Sequence, residues 1–231
     1  MTTAAPFPVV FALYPQVTQL DFTGPAEVFS RLPGARLTLA SVTGGLLETE
    51  SGITFAGVRV LAEVNECALL CVPGGFGTTA AMEDPAYLGA LRRLAAKARY
   101  VTSVCTGSLL LGAAGLLRGK RAACHWAWRE LLATFEAMPD SARVVREGNV
   151  FTGGGVTAGI DMALTVVAEI AGPDFAQTLQ LALEYAPDPP FATRRPDSAR
   201  PEIVAAVRRR LDSLGGNREE AARRAAKALT T

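Results

Sequence analysis

The chain has 231 residues and a formal net charge of +1, with 49% hydrophobic and 19% charged residues. This length fits one α/β domain or one domain with a short appendage, and the hydrophobic content is enough for a large core. The near-neutral charge argues against a general nucleic-acid-binding surface and against a funnel for acidic substrates. No hydrophobic run approaches the roughly 20 residues that a membrane span requires.

The cysteine and histidine content further limits the kinds of site that we expect in this chain. Cys67, Cys71, Cys105 and Cys124 show neither CxxC spacing nor the density of a disulfide framework, which is typical of a reduced, cytoplasmic protein. The first residues carry no positively charged segment, so we expect no secretory signal. His125 is the single histidine, so we expect no metal site. The sequence leaves open whether His125 lies near Cys105 or in the core.

Short hydrophobic runs alternate with amphipathic stretches along most of the chain. The runs predict strands or hairpins, in chain order, at residues 9–14, 36–42, 49–60, 68–72, 100–104 and 143–152. The stretches predict helices at residues 22–32 and 85–98, and directly after residues 106 and 155. Strands that alternate with helices indicate a doubly wound, mainly parallel sheet with helices on both faces.

The tail has a different pattern. We expect an α/β domain over residues 1–190 and a C-terminal helical extension over residues 191–231, because Pro-Asp-Pro-Pro at 187–190 interrupts the alternation. Residues 191–200 are predicted as extended, and amphipathic helices are predicted at 201–214 and 218–229, separated by Gly215-Gly216. The predicted buried side of the first tail helix consists of Val204, Val207, Leu211 and Leu214. The basic residues of the tail either contact nucleic acid or form a solvated face, and their pattern favours the solvated face.

Cys105 lies at the junction between a β-branched strand and a glycine-containing helix start. Such a turn pushes the side chain out of the sheet edge towards the first amides of the helix, and these amides with the helix dipole stabilise a thiolate. A cysteine is otherwise often a small buried core residue. The junction favours a nucleophile, by analogy with the serine elbow of hydrolases.

Three loops are expected to converge at the carboxyl ends of the strands, where a doubly wound sheet places its site. They carry Asp21, the pair Gly74-Gly75, and Cys105. Asp21 is either the N-cap of the following helix or a functional carboxylate. The glycine pair is either a plain turn or a place where a backbone amide approaches a reacting atom.

The motifs around these residues resemble a known family. They are LDFTGPAEVF from Leu20, PGGFG from Pro73, VCTGSLLLGAAGLLRGKRA from Val104, HWAW from His125, TGGGVTAGIDMAL from Thr152 and QLALEYAPDPPF from Gln180. The chain is thereby similar to the ThiJ/PfpI branch of the class I glutamine amidotransferase-like superfamily, and within it to the isocyanide hydratases, over nearly its whole length. Related sensor domains of AraC-type regulators add a DNA-binding domain of roughly a hundred residues, which we do not expect here.

The resemblance implies a flavodoxin-like α/β fold, a homodimer, and no metal or organic cofactor. It assigns the nucleophile to Cys105 and the acid/base carboxylate to Asp21, and it places the C-terminal extension on the domain or on the dimer partner. Oxyanion-type amides would come from Gly75 and Thr106, and the Thr106 hydroxyl would hold Asp21 or a water. Protease-like members have histidine at the position of Thr106, which argues against peptidase activity.

The implied reaction adds water to an isocyanide through a covalent thioimidate on Cys105 and releases an N-substituted formamide, with no nucleic acid or membrane as partner. A neutral substrate requires a hydrophobic pocket. Phe76, Trp126, Trp128 and Val156 are either its walls or ordinary core residues. The alternatives are a cysteine-based redox or small-molecule sensor, and another enzyme on this scaffold such as a glyoxalase-type hydratase.

Overall fold

Ten strands form two sheets in residues 5–229, the part of the chain that the computed structural model describes. Residues 1–4, at the start of the predicted α/β domain, and residues 230–231, at the end of the predicted extension, lie outside this part. The strands are β1 (Phe7–Ala12), β2 (Ala35–Ser41), β3 (Gly45–Glu48), β4 (Thr54–Val60), β5 (Leu69–Val72), β6 (Tyr100–Val104), β7 (Arg121–Ala123), β8 (Met138–Asp140), β9 (Val144–Glu147) and β10 (Val150–Gly153).

The main sheet is mostly parallel and has the strand order β3-β4-β2-β1-β5-β6-β10-β9. Only the edge strands β3 and β9 pair antiparallel, each in a hairpin with its sequence neighbour. All four residues of β5 and of β10 are buried, as expected for inner strands covered on both faces. The predicted α/β class with a mainly parallel sheet and helices on both faces is confirmed, as is the predicted hairpin at residues 143–152.

Eight α-helices complete the described residues. They are α1 (Gln19–Phe29), α2 (Thr78–Ala81), α3 (Pro85–Ala95), α4 (Gly107–Ala113), α5 (Ala158–Ala171), α6 (Pro173–Ala182), α7 (Pro201–Gly215) and α8 (Arg218–Ala228). Short 3₁₀ segments occupy Leu61–Glu63, Arg129–Phe135 and Pro196–Ser198. The last of these lies within the stretch that was predicted as extended. Sequence patterns did not indicate β7, β8, the segment Arg129–Phe135 or α6. The two strands and the 3₁₀ segment are too short to show a period, and α6 follows α5 directly after Gly172.

Helix α1 begins three residues before its predicted start. The predicted helix begins after Asp21. Gly24 and Pro25, residue types that are common in loops, are buried inside the helix. They allow a close approach to α5: a Cβ on Gly24 would lie 3.1 Å from Ile160, and a Cβ on Gly159 would lie 3.1 Å from Pro25. The small residues are therefore a packing requirement of the α1–α5 contact.

The two tail helices differ in burial. Helix α8 buries Ala221, Ala222 and Ala225 and packs against α2, α4 and the segment Arg129–Phe135. The predicted buried side of α7 is wrong for Val207 and Leu214, which are 38% and 47% exposed, because among the described residues the helix meets the body chiefly at its end. The domain boundary at residue 190 stays a prediction. No helix in residues 5–229 is long and hydrophobic enough to cross a membrane.

Candidate active site

The sheet order changes direction beside β1, and this opens the crevice in which the candidate residues meet. Strand β1 pairs with β2 on one side and with β5 on the other, so the chain leaves the carboxyl ends of β1 and β5 in different directions. Asp21 comes from the first turn of α1, Gly74 follows β5, and Cys105 follows β6. The predicted convergence of the three loops is observed.

One hydrogen bond and one side-chain contact link the three loops. The backbone N–H of Gly74 donates to Asp21 Oδ2 at 2.8 Å, and the Cys105 side chain lies close enough to the Asp21 carboxyl group to lower its pKa. Asp21 lies inside the helix and not at its N-cap, which is Thr18. The capping alternative is therefore wrong, and the side chain of Asp21 points to the nucleophile candidate.

Cys105 has a left-handed backbone, with φ of 57°. This conformation is uncommon for a residue with a Cβ and marks local strain, as in the nucleophile elbow of hydrolases. The N–H of Cys105 donates to the Gly153 carbonyl at 3.1 Å, which ties the elbow to β10. On its other side, a Cβ on Gly107 would lie 2.0 Å from the Val72 carbonyl oxygen. The turn at Cys105 therefore requires glycine at position 107, because the start of α4 packs directly against the end of β5.

Burial dominates the electrostatics of the pair. Asp21 is 0% and Cys105 5% exposed. Burial raises the pKa of Asp21 from 3.8 to about 8, with a smaller contribution from Glu50, and the Gly74 N–H opposes it. Burial, followed by the nearby Asp21 and Cys124, raises the pKa of Cys105 well above its usual range, while the Thr106 N–H opposes this. At neutral pH the pair therefore keeps its protons.

Burial thus opposes the stabilisation of a Cys105 thiolate that the helix amides are expected to provide. Desolvation of the buried sulfur outweighs the stabilisation by the Thr106 N–H. The second carboxyl oxygen of Asp21, Oδ1, is buried and has no hydrogen-bond partner among the described residues. An unpaired buried oxygen costs far less on a neutral carboxyl group than on a carboxylate, in agreement with the raised pKa of Asp21.

The hydroxyl of Thr106 belongs to a chain of hydroxyl groups. Thr106 Oγ1 lies 2.8 Å from Thr78 Oγ1, which lies 3.0 Å from the Tyr14 hydroxyl, and Tyr14 donates to the Pro73 carbonyl at 2.8 Å. Each hydroxyl has one hydrogen. Since Tyr14 gives its hydrogen to Pro73, Thr78 donates to Tyr14 and Thr106 donates to Thr78, with the Gly75 carbonyl as a second, longer acceptor at 3.4 Å.

This chain limits one predicted role and corrects another. The Thr106 hydroxyl has no hydrogen left for Asp21 or a water, so it can hold them only as an acceptor, and this role stays a prediction. The Gly75 N–H donates to Thr106 Oγ1 at 3.0 Å, so it is not a free oxyanion donor. The Thr106 N–H faces the sulfur of Cys105 and remains the candidate amide at the site.

A cavity of about 550 Å³ lies next to this region, beside Cys124. Trp126 and Val156, two of the predicted pocket walls, line it, whereas Phe76 and Trp128 do not. The Phe76 N–H donates to Glu50 Oε2 at 3.2 Å. The rest of the lining is more polar than expected for a hydrophobic pocket and contains five arginines, which are Arg129, Arg143, Arg194, Arg195 and Arg208.

His125 lines the same cavity but does not act as a charged partner of the cysteine. Its Nδ1 accepts from the Ala127 N–H at 3.3 Å. Burial, and after it the charge of Arg218, lowers the pKa of His125 to about 4, so the ring is neutral at neutral pH. No group of three or more metal-ligating side chains lies together in the described part of the chain.

Comparison with known proteins identifies the family. The model of the DJ-1/PfpI family matches residues 8–169, which carry Asp21, Gly74 and Cys105. The chain belongs to the DJ-1/PfpI family. An isonitrile hydratase from Pseudomonas putida is 48% identical to this DJ-1/PfpI protein over 219 residues, which cover 95% of this chain and 96% of the relative.

Solved structures agree with this assignment. A ThiJ/PfpI family protein from Pseudomonas syringae superposes with a TM-score of 0.89 at 35% identity, covering 97% of this chain and 92% of that one. DJ-1beta from Drosophila melanogaster superposes with a TM-score of 0.71 at 22% identity, covering 79% of this chain and 100% of that one, and shares the fold.

One further residue at the site lies outside the segment that the family model matches. Arg218, the first residue of α8, is 2% exposed, and its Nη2 donates to the Gly75 carbonyl at 3.0 Å. Sequence reasoning missed it, because an arginine in a charged amphipathic helix is ordinarily solvated. The only signal is its place directly after Gly215-Gly216-Asn217, where the chain turns back towards the body.

Proposed function

We propose that this protein hydrates isocyanides to N-substituted formamides, with Cys105 as nucleophile and Asp21 as acid and base. The observation that carries the proposal is the buried pair of Asp21 and Cys105, whose side chains act directly on each other's pKa. The similarity to the Pseudomonas putida isonitrile hydratase over nearly the whole chain supports the substrate class. The pair offers one soft nucleophile and one proton carrier, and both are required by a carbon that must gain a sulfur, then an oxygen, and one hydrogen.

The first half of the reaction forms a covalent intermediate. The active form of the pair holds one proton. As the sulfur of Cys105 bonds to the terminal carbon of R–N≡C, Asp21 delivers the proton to the same carbon. The product of this step is the thioimidate R–N=CH–S–Cys105, and Asp21 is left as a carboxylate.

The second half adds water. The Asp21 carboxylate takes a proton from a water molecule, whose oxygen bonds to the thioimidate carbon, and Asp21 hands this proton to the nitrogen. The carbon–sulfur bond then breaks with return of the electron pair to sulfur, while the new hydroxyl group gives its proton to Asp21. R–NH–CHO leaves, and the pair again holds one proton. The sum is R–N≡C plus water giving the formamide, with no change of oxidation state at the sulfur.

The raised pKa of Asp21 suits this double role. A general acid and base works best when its pKa lies near the pH of operation, and burial brings the pKa of Asp21 to about 8. An ordinary, solvated aspartate would have lost its proton at neutral pH.

The test uses a neutral isocyanide, cyclohexyl isocyanide, with formation of the formamide followed by NMR. We expect turnover by the wild-type chain, none by Cys105→Ala, and normal turnover by Cys67→Ala, which removes a buried cysteine outside the site. A mass increase on the Cys105 peptide, equal to the mass of the isocyanide, is expected after brief exposure. Full activity of Cys105→Ala would contradict the assignment of the nucleophile.

The structure offers less support for the redox-sensor alternative. Cysteines that are readily oxidised have a lowered pKa and an accessible sulfur. Cys105 is buried, and its pKa is raised. A glyoxalase-type activity is likewise disfavoured, because the acid position holds Asp21 and the residue after the cysteine is Thr106, where the resemblance associates that activity with glutamate and histidine.

A further inference from the structure

Arg218 is held in one place by contacts with three parts of the chain. Its Nε donates to Thr79 Oγ1 at 3.1 Å, and its Nη2 donates to the carbonyls of Gly75 at 3.0 Å and Phe76 at 3.3 Å. The guanidinium carbon lies 4.0 Å from the centre of the Trp128 ring. A stacked and hydrogen-bonded guanidinium has little conformational freedom.

The charge of Arg218 is not neutralised by an ion pair in residues 5–229. The arginine ion pairs found there involve other arginines, each at least a quarter exposed. Nη1 of Arg218 is buried and has no hydrogen-bond acceptor among the described residues. A buried cation with an unpaired donor is costly. The structure therefore keeps a buried, unpaired positive charge near the candidate nucleophile Cys105, although this charge lowers stability.

The groups that act electrostatically on Arg218 come from the segments that follow four strands. Tyr14 follows β1, Glu50 follows β3, Cys105 follows β6, and Cys124 and His125 follow β7. Glu50 is the one carboxyl group among them, and it accepts the Phe76 N–H. Cys105 itself is faced by Asp21, Cys124 and Arg218. Arg218 is therefore the cation that faces both Cys105 and its neighbour Cys124.

We propose that Arg218 is a positioning residue for the Asp21–Cys105 pair, which fixes the Gly75–Phe76 loop and stabilises the negative charge that forms on the Cys105 sulfur. This proposal rests on the proposed function for its link to hydration, but its electrostatic part concerns the cysteine alone. The two contributions of Arg218 are separable. Arg218→Lys keeps the positive charge and loses the hydrogen bonds to the two carbonyls. Arg218→Gln keeps a hydrogen-bond donor and loses the charge.

Arg218 acts on the loop through contacts with residues that directly follow Gly74. Arg218 holds the carbonyls of Gly75 and Phe76, and the N–H of Gly74, one residue earlier, holds Asp21. Release of the carbonyls loosens the amide that orients the acid. The charge contribution acts when the proton of Cys105 passes to Asp21, because the sulfur then becomes negative within reach of the guanidinium.

The experiment compares Arg218→Gln and Arg218→Lys with the wild-type chain and with Arg224→Gln. Arg224 lies on the same helix, is exposed, and pairs with Glu83, so it controls for loss of an α8 arginine outside the site. The first measurement is the rate of alkylation by iodoacetamide as a function of pH, read at the Cys105 peptide by mass spectrometry. The second is kcat/KM for cyclohexyl isocyanide.

For Arg218→Gln we expect the alkylation midpoint to move up by about one pH unit, and the rate below the midpoint to fall about tenfold, since one pH unit is tenfold in thiolate. For Arg218→Lys we expect a midpoint close to that of the wild type and a several-fold loss of kcat. Arg224→Gln leaves both measurements unchanged. A folded Arg218→Gln protein, checked by circular dichroism, with the wild-type midpoint overturns the proposal.

If Arg218→Gln does not fold, Arg218→Lys decides: a midpoint close to that of the wild type supports the proposal, and a shift of a full unit overturns it. Failure of the proposed function looks different. A wild-type chain that makes no formamide, with the alkylation shifts intact, overturns isocyanide hydration and leaves the electrostatic role of Arg218 standing.

Discussion

The backbone N–H of Gly74 donates to Asp21 Oδ2 at 2.8 Å, across a separation of 53 residues. Gly74 follows β5, whereas Asp21 belongs to the first turn of α1, so this bond joins two connections that leave the sheet in different directions. It holds the carboxyl group next to Cys105 at the point where the crevice opens.

Gly74→Ala is expected to abolish most of the activity. A Cβ at this position would lie 2.5 Å from the Thr106 nitrogen, 2.6 Å from Thr106 Oγ1 and 2.9 Å from Asp21 Oδ2, so the loop and the carboxyl group must separate. We expect kcat/KM for cyclohexyl isocyanide to fall by a factor of about 100, since small misplacements at a reacting centre have costs of this order.

The matched control is Gly89→Ala in the middle of α3, where a Cβ would meet nothing within 4 Å. Alanine is favoured over glycine inside a helix by about 0.5–1 kcal/mol, so this variant is expected to be slightly more stable and fully active. Equal activity of the two variants would show that Gly74 does not shape the site.

The pH dependence of kcat/KM should follow the first proton that leaves the Asp21–Cys105 pair. The active form holds one proton, and the pKa of Asp21 is raised to about 8 by burial. Activity is therefore expected to rise with pH towards about 8 and to fall only at much higher pH, where the second proton leaves. A profile that is flat from pH 5 to pH 8 would contradict this assignment.

Stability gives an independent measure of the same shift. The folded pKa of Asp21 is above the unfolded value of 3.8, so the folded chain binds more protons between pH 4 and 8, and its stability falls as pH rises through this window. Asp21→Asn has no such proton. We expect the free energy of unfolding of Asp21→Asn, relative to that of the wild type, to rise by roughly 2–5 kcal/mol between pH 4 and 8.

Urea unfolding at several pH values measures this difference. Asp174→Asn, at an exposed position in the first turn of α6, is the comparison variant and should show no such trend. A difference between Asp21→Asn and the wild type that is constant with pH would mean that Asp21 ionises normally in the folded chain.

Thr106→Val tests the hydroxyl chain. The substitution removes the acceptor of the Gly75 N–H and the donor to Thr78. The buried Gly75 N–H is left unpaired, whereas the Thr78 hydroxyl keeps its bond to Tyr14. An unpaired buried N–H costs about 1–3 kcal/mol, so a clear loss of stability and of activity is expected. Thr106→Ser keeps the hydroxyl and should retain most of both, as measured by thermal unfolding and formamide production. A loss in the serine variant without a loss in the valine variant would assign the effect to the methyl group and contradict the role of the hydroxyl.

The sequence was informative where local pattern and topology act together. A β-branched strand followed by Cys105 and a helix start predicted the elbow, and parallel topology predicted its approach to Asp21. Local signals failed where packing overrides them: Gly24 and Pro25 are typical of a loop, but α1 requires them against α5. Arg218 was out of reach, because its burial depends on how α8 folds back over a separation of more than a hundred residues.

The hydroxyl chain from Thr106 through Thr78 to Tyr14 has a consequence for the traffic of protons. A proton wire requires that its last member accept a proton and pass it on, whereas this chain ends on the carbonyl of Pro73, which is not basic at neutral pH. The hydroxyl chain therefore supports the loop and brings no proton to the reacting carbon. In the proposed mechanism Asp21 is the group that hands protons on.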